Sequence, residues 1–316
     1  VRIAFLGSPP FASPILERLC ASRHAPVIVL TQPDRARGRG QKVQASAIAD
    51  LARARGIELL QPERAGAPEV LERLAAARPE ALLVASYGEL LGRELLELAP
   101  RGAWNVHASL LPRHRGASPV QRAILEGDAQ TGVCVQRMVL ELDAGDVLCE
   151  QRTPIEPDET AGELAARLAA LGAELAVRAL DSIESGDARP VPQDPARVTR
   201  CKKIKKGDGA IDWTRGADEL VRLVRAMNPW PLARACTPAG EALALLRARA
   251  LPGSAAPAPS GPPGGVLEAG PRLLVACGSG VLELLEVQLA GRRALPAPEF
   301  LRGNALRPGE RLRAGA

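Results

Sequence analysis

Short apolar runs at 2–6, 27–30, 81–85 and 102–106 punctuate the first part of the chain, each bounded by turn residues and too brief for a helix. Runs of that length and composition predict strands buried on both faces. Between them, residues 11–20, 43–55, 68–77 and 90–98 space their apolar side chains three and four apart, as a helix with one buried stripe does. Strands alternating with helices predict a doubly wound, mainly parallel α/β sheet, with ligands bound beyond the carboxyl ends of its strands. Two further strands are expected at 131–138 and 147–153, joined by a short acidic loop. A long helix follows: Thr160 and Glu163 make a capping-box pattern, and Leu164, Leu168, Leu171, Leu175 and Ile183 share one face.

The helical period ends at Gly186. Residues 187–206 are polar and rich in proline, arginine and lysine, which reads as a linker crossing the surface. Short strands then follow at 209–213, 242–249, 265–267, 273–276 and 281–288, with one helix at 217–226, and predict a small β-barrel. Residues 252–265, built of Pro, Ala, Gly and Ser, are expected as a loop inside it. The expected division is a first domain over 1–188, a basic linker over 189–206 and the barrel over 207–316.

The 316 residues suffice for two domains, and 46% hydrophobic against 24% charged residues is a globular balance. Aromatic residues make up only 2%, so aliphatic side chains must fill the core, and Trp213 and Trp230 are expected to anchor that of the barrel. The first residues lack the pattern of a secretion signal and no apolar run reaches membrane-spanning length, so a soluble, cytoplasmic protein is expected. Six cysteines are scattered, with no Cys-x-x-Cys pair and no histidine nearby at ligand spacing, which argues against a zinc site or a disulfide framework.

Net charge is +5, and its placement is more informative than its size. Arg197, Arg200, Lys202, Lys203, Lys205 and Lys206 fall within ten residues that contain no acid. Arg35, Arg37, Arg39 and Lys42 are interleaved with Gly38 and Gly40, so charges able to meet phosphates sit on a backbone able to approach closely. Solvated basic loops of this kind are common on composition alone. The stretch is no phosphate-cradling P-loop, since its lysine is not followed by Ser or Thr, and the first turn lacks the Gly-x-Gly-x-x-Gly of a dinucleotide oxidoreductase.

The densest chemical signal is Asn105 and His107, two apart at a strand end and therefore on one face. An amide donor can stabilise a carbonyl oxygen as it gains charge, and an imidazole can move a proton. Asp143, in the run Leu142, Asp143, Ala144, Gly145, Asp146, lies on the loop between the two later strands, from which a carboxylate could pair with His107 and fix its orientation. Taken singly, Asn-x-His more often satisfies loop backbone, and Asp with Gly more often makes a plain turn.

Together, Asn-x-His-x-Ser-Leu-Leu-Pro-x-x-Arg-Gly from Asn105 to Gly116 and the downstream Leu-Asp-x-Gly-Asp resemble the folate-dependent formyltransferases. The resemblance implies a catalytic set of Asn105, His107 and Asp143, and 10-formyltetrahydrofolate as co-substrate with no metal. It places folate contacts at Tyr87, Gly88, Leu90, Ser109, Leu110, Leu111, Pro112, Leu140 and Leu142. Thr31, Gln32, Pro33, Asp34 and Arg35, running into the Gly38–Lys42 basic loop, narrow the resemblance to the methionyl-tRNA formyltransferases, in which such a loop enters the acceptor stem. The implied tRNA contacts are Arg35, Arg37, Arg39, Lys42, Lys202, Lys203, Lys205 and Lys206. The implied partner is initiator methionyl-tRNA, the implied state a monomer, and the second domain an OB-like barrel.

The sequence departs from the family's usual pattern at Ser8, Pro9 and Pro10 in the first turn, at Ala108 beside His107, at Ser86 before Tyr87, and at Arg200 and Cys201 in the linker. None of these removes a catalytic side chain. Alternatives are a formyltransferase acting on an amino-sugar nucleotide, glycinamide ribonucleotide or another small amine, a formyl-folate hydrolase, and a non-enzymatic RNA-binding protein.

Overall fold

In chain order the elements of the first part are β1 Ile3–Gly7, α1 Ala12–Cys20, β2 Ile28–Leu30, β3 Arg35–Arg37, β4 Lys42–Gln44, α2 Ala47–Ala54, β5 Glu58–Leu60, α3 Pro68–Ala77, β6 Ala81–Ala85, α4 Arg93–Leu96 and β7 Ala103–His107. Then come β8 Arg115–Gly116, α5 Pro119–Glu126, β9 Gln130–Arg137, β10 Val147–Pro154, the long α6 Ala161–Ser185 and β11 Arg200–Cys201. These belong to a computed structural model that describes residues 1–37, 42–252 and 261–315. It divides into two units, one of Val1–Pro119, Gln130–Pro154 and Ala165–Lys202, the other of Val120–Ala129, Ile155–Leu164 and Lys203–Ala316.

Among the described residues of the first unit, one sheet runs in the order β10-β9-β7-β6-β1-β2-β5. β5, β2, β1, β6 and β7 are parallel, and β9 and β10 extend the sheet antiparallel. β1 and β6 are buried along their whole length because their apolar residues do not alternate with polar ones, and only a sheet covered on both faces accepts such strands. Helix α6 begins on the expected cap: Glu163 Oε2 accepts from Thr160 N at 2.8 Å, and Thr160 Oγ1 accepts from Glu163 N at 3.3 Å.

Several expected boundaries moved. The helix expected over 43–55 starts only at Ala47, where Ser46 caps it by accepting from Ala49 N, and residues 42–44 pair with β3 instead. The helix expected over 90–98 shrinks to Arg93–Leu96, held between Gly92 and Pro100. Glu58–Leu60 is an additional edge strand whose half-exposed residues carry little apolar signal. Residues 191–201 do more than connect: β11 pairs with β8, and Val191 bridges to Val147.

The second unit holds α7 Ala217–Met227, β12 Ala233–Cys236, β13 Ala242–Ala250, β14 Val266–Ala269, β15 Leu273–Ala276, β16 Val281–Leu289, β17 Leu295–Pro296, α8 Ala297–Gly303 and β18 Arg313–Ala314. Its antiparallel sheet has the order β14-β15-β16-β13-β12-β18, with β17 on β16. Residues 309–314 join both margins: Glu310 O and Leu312 N bond the backbone of Val266 and Gly264, and Arg313 pairs with Cys236. The sheet thereby curls into a barrel-like form around Leu243, Leu245, Val275, Leu282 and Val287, all buried, and α7 packs on β13. The expected strand over 209–213 is a 3-10 turn, Lys206–Gly209, and a single bridge from Ala210 to Arg234. Trp213 is buried as expected, but Trp230 is 56% exposed, because Pro229 and Pro231 on either side keep it in the turn after α7. Among the described residues no helix is long and apolar enough to cross a membrane.

Candidate active site

Strand β7 fixes Asn105 and His107 on one face of the first sheet. β9 pairs antiparallel with it and sets Gln136 opposite Asn105 and Cys134 opposite His107, so these side chains share that face. The loop from β9 to β10 carries Asp143 to the same point. Its Oδ1 lies 3.4 Å from Asn105 Nδ2 and 3.6 Å from His107 Nδ1. Amide, imidazole and carboxylate converge, with the side chains of His107 and Asp143 only 7% and 8% exposed.

Two glycines make the convergence possible. Asp143 itself has φ +53°, a left-handed conformation, and the loop folds back so tightly that a Cβ on Gly145 would lie 1.7 Å from the Arg137 carbonyl oxygen. Gly116, at φ +126°, donates its N–H to Asp143 Oδ2 at 2.8 Å while its Cα faces the backbone of Cys201. The ring of His107 is held from its far side: Nε2 lies 3.1 Å from the His114 carbonyl. A carbonyl only accepts, so Nε2 carries the hydrogen and Nδ1 is the nitrogen turned toward Asp143. The His114 carbonyl also accepts from the Cys201 thiol at 3.3 Å. Burial pushes the Cys134 thiol far up, so it remains a neutral neighbour.

Sequence reasoning missed two side chains at this point. Gln136 Nε2 donates to Asp143 Oδ1 at 2.9 Å. Gln193 Nε2 donates to the carbonyls of Asp143 and Gly145 at 2.8 and 2.7 Å, and its Oε1 accepts from Arg115 Nε at 2.9 Å. For Gln136, between Val135 and Arg137 near the end of β9, the local sequence offered little signal. For Gln193 the local pattern held none.

The residues expected at a folate site separate by exposure. Leu90, Leu140 and Leu142 are 74%, 57% and 45% exposed, unusual for large apolar side chains, and Gly88, close to Leu90 in sequence, has φ +87°. The Tyr87 ring is packed in the core with Leu30, Val84 and Leu95, where burial pushes its phenol up to about 12. Tyr87 O accepts from Ser8 Oγ. Ser109, Leu111 and Pro112 are buried and Leu110 half-buried, with Ser109 Oγ donating to Arg113 O at 2.7 Å.

Arg35 and Arg37 on β3 and Lys42 on β4 belong to a two-stranded ribbon, while Arg39 lies outside the described residues. Asp34 ties the base of the ribbon by accepting from Ser46 N at 3.1 Å and Gln61 Nε2 at 2.8 Å. Lys202, Lys203, Lys205 and Lys206 are all exposed, whereas Arg200 is paired with Glu141 at 2.8 Å.

Residues 1–180 match the formyl transferase family, and residues 203–305 match the formyl transferase C-terminal domain. The methionyl-tRNA formyltransferase of Solibacter usitatus is 44% identical over 315 residues, 100% of this chain and 99% of that protein. That of an Anaeromyxobacter species is 47% identical over 305 residues, 96% of this chain and 97% of that protein. Among solved structures, the N-formyltransferase of Helicobacter canadensis in complex with folinic acid and dTDP-3-aminofucose superposes with a TM-score of 0.62 at 13% identity, covering 90% of this chain and 98% of that one. HypX from Aquifex aeolicus in complex with tetrahydrofolic acid gives 0.62 at 19% identity over 95% of this chain, which spans about half (46%) of that protein. At such identities the solved structures speak to the fold alone. With both parts matched in order and close relatives aligned along almost the entire length, the chain belongs to the formyl transferase family.

Proposed function

We propose that this chain transfers the formyl group of 10-formyltetrahydrofolate to the α-amine of methionine esterified to initiator tRNA. The convergence of Asn105, His107 and Asp143 at the carboxyl end of β7 carries the reading. The acceptor follows from the near full-length identity to proteins named methionyl-tRNA formyltransferases.

The neutral amine attacks the formyl carbon, a C–N bond forms, and the carbonyl electrons move onto oxygen. Asn105 Nδ2 has only a long contact to Asp143, so its amide is available to that oxygen. Collapse of the tetrahedral species breaks the bond to the folate N10, which takes the proton the amine gives up. His107 Nδ1 and Asp143 Oδ1 stand side by side to pass it. Nothing is oxidised or reduced, and the products are formylmethionyl-tRNA and tetrahydrofolate.

A planar pterin would cover the exposed apolar surface at Leu90, Leu140 and Leu142. Arg35, Arg37, Arg39 and Lys42, with Lys202, Lys203, Lys205 and Lys206, supply phosphate contacts. The test is incubation with labelled formyl-folate and a panel of charged initiator tRNA, charged elongator tRNA and amino-sugar nucleotides. Label on initiator methionyl-tRNA is expected; label on the sugar nucleotide alone would overturn the acceptor.

A further inference from the structure

Three side-chain nitrogens surround Asp143 Oδ1, and the nearest belongs to neither Asn105 nor His107 but to Gln136, which donates at 2.9 Å. Gln136 is 1% exposed, a buried amide directly across the sheet from Asn105. Its own carbonyl oxygen lies 3.4 Å from Gln193 Nε2, which fixes which end of the amide meets the carboxylate. Gln193 in turn holds the loop backbone at the left-handed Asp143 and two residues beyond it, at the carbonyls of Asp143 and Gly145.

We propose that Gln136 and Gln193 are positioning residues for formyl transfer, holding the Asp143 carboxylate so that it serves His107 without capturing the amide of Asn105. The donors compete for one carboxylate. A carboxylate oxygen left short of donors draws in the nearest amide, and here that is Asn105 Nδ2. With Gln136 on Oδ1 and Gly116 N–H on Oδ2, both oxygens are satisfied and rotation of the carboxylate is blocked. Asn105 therefore keeps its long contact and remains free for the charge that develops on the formyl oxygen. Gln193 secures the same outcome through the backbone. A left-handed aspartate is disfavoured, and its own carbonyl and that of Gly145 accept from one amide group.

The proposal rests on the reaction put forward above. Its test is the single-turnover rate of formyl transfer to methionyl-tRNA for Gln136→Met, Gln136→Glu and Gln193→Ala, in the wild-type and Asp143→Ala backgrounds. Gln136→Met keeps the volume and loses the donor; its rate should fall about 10- to 100-fold, the worth of one hydrogen bond to a charged group, with KM for both substrates unchanged. Gln136→Glu, which sets carboxylate against carboxylate, should be slower still, and Gln193→Ala about tenfold slower. In the Asp143→Ala background each change should cost less than about twofold, because the group they position is gone. Losses that multiply undiminished in that background would mark a general structural defect and overturn the proposal, as would a Gln136→Met enzyme of wild-type rate. If Gln136→Met fails to fold, the half-buried Gln193 decides the matter by the same comparison. A wild-type protein that formylates no methionyl-tRNA would instead defeat the proposed function.

Discussion

Replacing Gly116 by alanine tests the claim that a backbone contact builds the site. The new Cβ would lie 2.1 Å from the Cys201 carbonyl oxygen and 3.3 Å from the Cys201 thiol, and φ there is +126°. Because the obstacle is main chain, the strand pair β8–β11 must separate by roughly 1 Å to restore an ordinary contact. Strain in that region of backbone space costs about 1–3 kcal/mol and overpacking a similar amount, so a loss of about 2–5 kcal/mol is expected. The melting temperature should fall by roughly 5–15 °C for a unit of this size. The same N–H holds Asp143 Oδ2 at 2.8 Å, so the displacement reaches the carboxylate directly. A misplacement of that order costs about 10²-fold in turnover. Urea unfolding and steady-state formylation would be measured beside Gly66→Ala, where a Cβ meets nothing within 4 Å and stability should change by less than about 0.5 kcal/mol. The reasoning fails if Gly116→Ala stays within about 0.5 kcal/mol of wild type and loses less than about threefold in turnover.

Asn105→Ala should lower kcat by about 10²–10³-fold while sparing the KM for tRNA, and near-normal turnover would remove the amide from the mechanism. Arg39→Ala should raise the KM for tRNA and flatten the fall of affinity with salt; an unchanged salt slope counts against the basic loop. Glu163 is held down to about 2 by the Thr160 backbone N–H, then the Thr160 hydroxyl, then Arg247. Its folded value lies below the ordinary carboxylate range, so its charge stabilises the fold above pH about 4.5 and that contribution disappears as pH falls toward about 2. The stability gap between wild type and Glu163→Gln should close over that window, and a gap independent of pH would refute the assignment.

The parallel core was legible because burial on both faces forces unbroken apolar runs, as in β1 and β6. Edge elements were not: β5 carries a glutamate and half-exposed leucines, and β4 begins with Lys42, so partner strands rather than local preference decide their state. In the site, Asn105 and His107 could be placed together from strand period alone. Asp143 could be assigned only through a family pattern, because its approach depends on a left-handed turn and on the tight fold-back at Gly145. Gln193 lies 50 residues from the carbonyl it holds, a separation no local spacing encodes. Trp230 was misplaced for a related reason: hydrophobicity predicts burial only where the backbone can turn inward, and two flanking prolines decide that here.

β14 and β12 are far apart in sequence, yet each relies on the stretch 309–314 to cover its outer backbone groups. Among the described residues that stretch follows all the other strands, so during synthesis both margins stay open to solvent until it has been made. Shortened chains ending before Gly309 should therefore stick to one another edge to edge, and crowding many nascent copies on one message should favour exchange of this closing piece between neighbours.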